Sequence, residues 1–216
     1  MSNITSREEI LKKVRNAAMQ QAENPYSKVA LDKSIYPKMS DDLEVLFAEE
    51  LNHIGGHFVY CETIEELKEN LFRFISAQNT DKLITFDPAI IKLLESINIY
   101  IEPTVDNYSE IELSITRCEA LVARLGSVMV SSKQITGRIL NFIPNTHIVI
   151  ASREEIVATV KEAIILIDKK YEGDFPSMTT LITGPSRTAD IEKTLVMGAH
   201  GPRSLIVFLM ESDFLK

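Results

Sequence analysis

Apolar residues recur along this chain with two periods, one typical of helices and one typical of strands. Helical spacing and cap residues predict helices over residues 6–24, 41–54, 63–77, 88–96, 114–125 and 152–170. Short apolar runs predict strands over residues 57–61, 82–86, 97–101, 127–131, 145–151, 181–183 and 205–210. Because strands and helices alternate, we predict an α/β fold: a mostly parallel open sheet with helices on both faces.

Capping boxes mark the starts of three predicted helices. In this motif a Ser or Thr N-cap is followed three residues later by Glu. The pairs are Ser6–Glu9, Thr63–Glu66 and Ser152–Glu155. The segment 25–40, which contains Pro25 and Pro37, is predicted to be an extended linker. We therefore expect an N-terminal helix and linker over residues 1–40 and one α/β domain over residues 41–216.

Composition narrows the class of protein. The net charge of −8 argues against a nucleic-acid binder, because phosphate contacts need clustered Lys and Arg. Two distant cysteines, Cys61 and Cys118, can form neither a disulfide framework nor an iron–sulfur cluster on their own. The N-terminus shows no secretory signal, and no apolar run approaches the roughly 20 residues of a membrane span. We expect a cytoplasmic protein that contacts no membrane.

A Gly/Pro bend at residues 184–188 is the first candidate site. We predict that it joins the end of a strand to a short helix, so that backbone N–H groups near Arg187 and Thr188 attract an anion. Gly184 allows the tight turn, and Ser186, Arg187 and Thr188 offer side-chain donors. The alternative is a helix start capped by its own Ser186 or Thr188. Ligands in parallel sheets usually lie beyond the carboxyl ends of the strands, where we place this bend.

A second Gly/Pro bend, at residues 198–203, carries His200 and Arg203. These two side chains could bind a carboxylate or polarise a carbonyl group. The alternative for His200 is a turn histidine that bonds only to the backbone. We expect the two bends to form one cleft, and a polar loop containing Lys133 could line the same cleft or be a solvated connection. No nucleotide-binding or other cofactor motif is present, so we predict no cofactor and no metal.

Residues 183–192 (TGPSRTADIE) and 198–203 (GAHGPR) resemble the C-terminal motif of the LUD-domain family, the LutC/YkgG-type lactate-utilisation proteins. That motif is close to GPS-x-TADIE, a short spacer and G-x-HGP-[RK], and weaker similarity covers much of the chain. The resemblance implies a fold like that of the NagB/RpiA/CoA-transferase superfamily. It also implies a role in oxidising L-lactate to pyruvate beside partner subunits that carry iron–sulfur clusters.

One segment departs from the family pattern. Relatives commonly show a sequence like A-E-T-G-T where this chain has residues 123–127 (ARLGS). Arg124 therefore stands where the family has an acid, and a guanidinium could hold an anionic ligand instead. We add Arg124 to the predicted site and expect its loop to join the two bends.

Two main hypotheses follow. The first is an accessory protein of lactate utilisation that binds a small carboxylate or phosphate ligand, or an iron–sulfur partner subunit, near the two bends. The second is a stand-alone enzyme of the CoA-transferase-like or sugar-phosphate class. A scaffold without a ligand is a third alternative. Whether the protein is an enzyme and whether it forms a homo-oligomer both stay open at this stage.

Overall fold

The computed structural model of the chain describes residues 5–19, 42–102, 107–189 and 195–212. The chain divides into two compact units, Met1–Lys38 and Met39–Lys216. The described part of the first unit is helix α1, Ser6–Met19. Thr5, not Ser6, forms its capping box: the Thr5 N–H donates to Glu8 Oε2 at 2.8 Å, and the Glu8 N–H donates to Thr5 Oγ1 at 3.4 Å. The predicted linker lies outside the described residues.

The second unit contains four helices and eleven strands within the described ranges. The helices are α2 Leu43–His53, α3 Ile64–Gln78, α4 Pro88–Glu95 and α5 Val160–Lys170. The strands are β1 His57–Cys61, β2 Leu83–Ile84, β3 Leu113–Arg117, β4 Ala120–Val122, β5 Ser127–Ser131, β6 Thr146–Ser152, β7 Ile156–Val157, β8 Thr179–Ile182, β9 Arg187–Ala189, β10 Leu195–Met197 and β11 Ser204–Met210. None of the described helices could cross a membrane.

A five-stranded sheet forms the centre of this unit. Its order is β1-β11-β6-β3-β2, and every neighbouring pair is parallel. Strands β6 and β11 are buried on both faces, which explains their continuous apolar sequences. Leu and Ile side chains of α3 and α4 cover one face and pack on Ile148, Ile206 and Phe208. The predicted parallel α/β architecture is confirmed.

A second sheet and α2 cover the other face. This sheet has the order β7-β4-β5-β8 and is mainly antiparallel. Its inner side packs with Phe47 and Leu51 of α2 against Val149 and Val207 of the parallel sheet. Gly126 permits this close approach, because a Cβ there would lie 2.3 Å from the backbone N of Leu51. Helix α5 covers the outer side of the second sheet.

The helix predicted over residues 114–125 is wrong. This segment forms β3, β4 and a 3-10 turn at Ala123–Leu125. In β3 the apolar side chains Leu113 and Ile115 alternate with Ser114 and Thr116, and all four are buried between the two sheets and their helices. The alternation of apolar and polar side chains, together with the β-branched Ile115 and Thr116, is typical of a strand and not of a helix.

The strand predicted over residues 97–101 is also wrong. The chain turns after α4, with Asn98 at a left-handed φ of 62°. The Ile99 N–H donates back to Leu94 O at 3.0 Å rather than to a neighbouring strand. Ile97 and Ile101 still pack against the core, so the alternating pattern reports burial without strand pairing.

The capping box at Ser152 and Glu155 is present, but it opens only the 3-10 turn Arg153–Glu155. The short strand β7 follows and pairs with β4. Helix α5 then begins with Thr159 as its N-cap, whose Oγ1 accepts the Glu162 N–H at 3.3 Å. The single helix predicted over residues 152–170 is therefore wrong in its first half, because Ile156 and Val157 complete the second sheet.

His147 is a fully buried histidine of β6. Its Nε2 lies 2.8 Å from Thr116 Oγ1, and its Nδ1 has no hydrogen-bond partner among the described residues. Burial lowers the pKa of His147 from 6.5 to about 3. The folded protein therefore holds this side chain neutral throughout the physiological pH range.

We predict that this histidine makes the protein sensitive to mild acid. In the unfolded chain the imidazole protonates below about pH 6.5, whereas in the folded chain it stays neutral until about pH 3. Stability is therefore complete above pH 6.5 and falls as the pH drops. Between pH 7.5 and pH 5 the loss from this group is about 2 kcal/mol.

The measurement is urea unfolding of the wild type and of His147→Gln at both pH values. The variant removes the titrating group but leaves the carboxylates unchanged, so its stability should fall less on acidification. Equal losses in the two proteins would contradict the assignment.

Candidate functional site

A cleft lies at each end of the parallel strands. The cleft at their amino ends, called the amino-edge cleft, has a volume of about 450 Å³ and is lined by Ile54, Asn141, Phe142 and residues 181–187 and 200–202. The cleft at their carboxyl ends, called the carboxyl-edge cleft, has a volume of about 310 Å³ and is lined by Asp87, Arg117, Cys118, residues 133–136, Glu155, Lys170 and Tyr171. Both volumes fall within or near the usual range of small-molecule sites.

The two Gly/Pro bends lie side by side at the amino-edge cleft. The Ser186 N–H donates to Pro202 O at 2.8 Å, and the Gly198 N–H donates to Ser186 O at 2.9 Å. The Ser186 hydroxyl also accepts the His200 N–H at 3.4 Å. Backbone bonds through Ser186 therefore hold the bends together as one rim.

Helix α2 closes this rim from the other side. The Arg187 guanidinium donates to Ile54 O, just beyond the helix end. Gly184 has a φ of 75°, and a Cβ there would lie only 2.8 Å from the same carbonyl oxygen. Glycine is needed at this position because both the backbone angle and the close approach exclude a side chain.

Four of the seven predicted site residues line the amino-edge cleft: Gly184, Ser186, Arg187 and His200. Arg187 and His200 are exposed. Thr188 lies on β9, where it pairs with Val196. Arg203 and Arg124 are not among the lining residues. The backbone N–H of Arg203 donates to Asn145 O at 2.8 Å, and that of Arg124 donates to Ala158 O at 3.3 Å.

Two structural expectations for this site are wrong. The bend at residues 184–188 does not start a helix: β9 pairs with β10 as an antiparallel ladder, so the N–H groups of Arg187 and Ala189 belong to strand backbone. The bend also follows β8 of the second sheet, and the other bend precedes β11. The two bends thus lie at the amino ends of the parallel strands. The prediction is wrong because β8 pairs in the second sheet and is not one of the parallel strands.

The amino-edge cleft mixes polar and apolar groups. Asn141 is buried, and its Oδ1 has no hydrogen-bond partner among the described residues. Phe142 and Leu181 expose more than a third of their surface there. A ligand or partner in this cleft would meet a guanidinium, an imidazole and apolar surface together.

The carboxyl-edge cleft lies beyond the ends of β2, β3 and β6, the usual position for a ligand in a parallel sheet. Its rim is the loop that follows β5. Gln134 fixes this loop, since its Oε1 accepts the Ser131 N–H at 3.0 Å and its Nε2 donates to Arg117 O at 2.8 Å. Lys133, whose loop could have lined the cleft of the two bends or been a solvated connection, lies on this opposite rim.

A buried carboxylate lies beside this cleft. Glu119 is 1% exposed and accepts hydrogen bonds from Ser131 Oγ at 2.5 Å, Lys170 Nζ at 2.7 Å and Tyr171 OH at 2.8 Å. Burial tends to lower the pKa of Lys170, but the hydrogen bond and charge of Glu119 outweigh it, and the pKa is raised. Burial and the bond to Glu119 both raise the pKa of Tyr171. Both groups therefore remain protonated donors at neutral pH.

The remaining lining groups offer no activated nucleophile. Burial raises the pKa of the Cys118 thiol well above its ordinary value, so the thiolate is disfavoured. Asp87 caps α4 by accepting the Ala89 N–H at 2.9 Å. Within the described ranges, no group of three or more His, Cys, Asp or Glu side chains is placed to hold a metal ion.

The sequence interpretation missed the Glu119 cluster because residues 114–125 were assigned to a helix. Within a helix, one Glu between Cys118 and Ala120 did not indicate a site. The alternation of Leu113 and Ile115 with Ser114 and Thr116 was the available signal, since it favours a strand whose carboxyl end would be followed by Cys118 and Glu119.

Comparisons with known proteins were consistent with one another. The model of the LUD domain family matches residues 44–210. Lactate utilization protein C of Geobacillus sp. (strain WCH70) is 30% identical over 160 residues, which cover 65% of this chain and 66% of that protein, just under two thirds of its length. Lactate utilization protein C of Anoxybacillus flavithermus is 26% identical over 194 residues, covering 83% and 86% of the two chains.

A crystal structure of a DUF162 family protein from Deinococcus radiodurans has the same fold. It matches with a TM-score of 0.58 at 19% identity and covers 81% of this chain and 99% of that one.

We predict that Glu119 stabilises the fold. Glu119→Ala should lower the free energy of unfolding by about 3–5 kcal/mol, because it leaves the buried Ser131 hydroxyl and the Tyr171 hydroxyl without their acceptor. Glu119→Gln should cost less than half as much, since its amide oxygen can still accept and Lys170 can turn to solvent.

Urea unfolding provides the measurement. Glu69→Ala is the matched control, because it removes a carboxylate from an exposed ion pair on α3 and should change stability by less than about 1 kcal/mol. If Glu119→Ala changes the free energy of unfolding no more than Glu69→Ala does, the Glu119 cluster contributes nothing to stability.

Proposed function

Because this chain belongs to the LUD domain family, we propose that it is an accessory protein of L-lactate utilisation. In this role it works beside iron–sulfur subunits in the oxidation of lactate to pyruvate. The observation that carries the proposal is the family match over residues 44–210, together with relatives called lactate utilization protein C that align over as much as 86% of their length.

The cysteine content supports an accessory role. The whole chain has two cysteines, and both thiols are buried and unpaired with each other. Two thiolates cannot complete a four-ligand cluster site. In a pathway that removes two electrons from lactate by iron–sulfur chemistry, the clusters would therefore be ligated by partner subunits rather than by this chain alone.

We place the contact with a small anion, or with an acidic group of a partner, at the amino-edge cleft. Arg187 and His200 are the exposed polar groups at its rim, and Ser186 joins the two bends that carry them. A guanidinium has five donors, of which Ile54 O takes one. The proposed residues are Gly184, Ser186, Arg187, Thr188, His200, Arg203 and Arg124; the last two and Thr188 would act from outside the cleft lining.

The alternative of a stand-alone CoA-transferase-like enzyme needs a carboxylate that can reach a substrate. Glu119 is covered and bonded by three donors, and Asp87 caps a helix. Glu155 accepts the Ser152 N–H at 2.8 Å. Each of these three carboxylates is either buried or already accepts a hydrogen bond from the protein, so the geometry favours the accessory role. A sugar phosphate is disfavoured at the same edge by the two lining carboxylates.

We predict that deleting the gene from its native host abolishes growth on L-lactate as sole carbon source and leaves growth on glucose unchanged. Wild-type protein should restore growth. Arg187→Ala should restore it poorly, because the guanidinium is lost from the amino-edge cleft, whereas the exposed helix variant Arg73→Ala should restore it fully. Normal growth of the deletion strain on lactate would refute the proposed role.

A biochemical experiment separates ligand binding from partner binding. Thermal unfolding is recorded with L-lactate, pyruvate and inorganic phosphate, and affinity-tagged protein is isolated from lactate-grown cells. A ligand at 100 times its dissociation constant stabilises a protein by about 2.7 kcal/mol. If Arg187 meets the ligand, Arg187→Ala removes that stabilisation; if it meets a partner, the variant loses co-purifying iron–sulfur subunits instead. Loss of neither would remove Arg187 from the site.

A further inference from the structure

Thr136 carries a buried hydroxyl at the wall of the carboxyl-edge cleft. The residue is 3% exposed and lines the carboxyl-edge cleft, yet its Oγ1 has no hydrogen-bond partner among the described residues. Buried polar groups are normally satisfied, so an unsatisfied one at a cavity wall points to a group that enters the cavity. The neighbouring Gln134 bonds hold this loop in place without using the Thr136 hydroxyl.

The charge around the cleft disfavours a dianion. Arg117, Lys133 and Lys170 line it together with the carboxylates of Asp87 and Glu155, and Lys170 is already paired with the buried Glu119. The other two cations balance the two lining carboxylates, so the lining has no net charge. A monoanion needs only one cation as its partner, whereas a dianion such as a phosphate monoester would be repelled more strongly by the two carboxylates.

Lys133 can change its partner more easily than Lys170. Its Nζ donates to the carboxylate and to the backbone carbonyl oxygen of Asp174, whose side chain is 87% exposed, and lies 4.8 Å from the centre of the Tyr171 ring. An ion pair with so exposed a carboxylate is screened by water and contributes little. Lys170, in contrast, is held by the fully buried Glu119.

We propose that the carboxyl-edge cleft binds a small organic monocarboxylate, with Lys133 leaving Asp174 to pair with the ligand while the Thr136 hydroxyl donates a hydrogen bond to it. Tyr171 forms one wall of the cleft. Its hydroxyl donates its proton to Glu119, so the hydroxyl oxygen can accept a hydrogen bond from a hydroxyl or amino substituent of the ligand. This site lies at the edge opposite the two bends and does not depend on the role in lactate utilisation.

Isothermal titration of the full chain with L-lactate, pyruvate, acetate and inorganic phosphate tests the site. We expect saturable binding of at least one carboxylate at millimolar or lower concentration and weaker binding of phosphate. Thr136→Val and Lys133→Gln should each raise the dissociation constant of the carboxylate by about tenfold or more. Asp174→Asn should strengthen carboxylate binding, because this change removes the negative charge that competes for Lys133 and keeps the cation.

Two controls separate binding from folding. Thr136→Ser keeps the hydroxyl and should retain the affinity of the wild type within about threefold. Thr136→Val should unfold, without ligand, at a temperature no lower than the wild type, since replacing an unsatisfied buried hydroxyl with a group of the same shape removes no hydrogen bond. Arg73→Ala, which removes an exposed guanidinium of α3 that lines neither cleft, should leave the affinity unchanged.

Several results would overturn the proposal. These are no binding of any carboxylate, equal affinities of Lys133→Gln, Thr136→Val and wild type, tighter binding of phosphate, or loss of binding in Arg187→Ala alone. None of them bears on growth with lactate. The two proposals can also fail separately. If the deletion strain grows normally on lactate but the purified protein binds a carboxylate in this cleft, the proposed function is refuted and the site stands.

Discussion

Burial of the parallel sheet on both faces is the constraint from which the rest of the architecture follows. In β6 and β11 every residue after the first is buried, so neither face of these strands is open to water. Helices α3 and α4 satisfy one face, while α2 and the second sheet satisfy the other. With both faces covered, the two clefts that contain the candidate site residues lie where the parallel strands begin and end.

The chemistry at these two edges differs because different elements supply the groups. At the amino edge, two bends joined through Ser186 meet the end of α2, and the result is a rim with Arg187, His200 and exposed apolar surface. At the carboxyl edge, the loop after β5 and the end of α5 line a smaller, more polar cleft beside the buried Glu119. A rim of the first kind suits a partner or an exposed ligand. The smaller polar cleft suits a small molecule.

How far the sequence could predict this structure depended on whether local chemistry decided each element. The bounds of β1 and β5 were predicted to the residue, and helices α2, α3 and α4 to within two, because Asp, Thr and Pro at their starts act locally. The predictions for residues 114–125, 156–157 and 187–189 are wrong, since the strands in these segments depend on their pairing partners. Strands β3 and β7 pair with segments more distant in the chain, and β9 pairs with the nearby β10. The same errors hid the Glu119 cluster and put the two bends at the wrong edge.

The sequence by itself determined the α/β class, the cap residues and the kinship that residues 183–192 and 198–203 express, because these rest on periodicity and on short motifs. It also brought the two bends together, although it gave the wrong reason. Only the tertiary structure decided which strands share a sheet, that Arg124 and Arg203 lie outside the cleft of Arg187, and that Lys133, Thr136 and Lys170 face one cavity. Such proximities arise from strand pairing and two-sided burial across more than a hundred residues, and no local pattern encodes them.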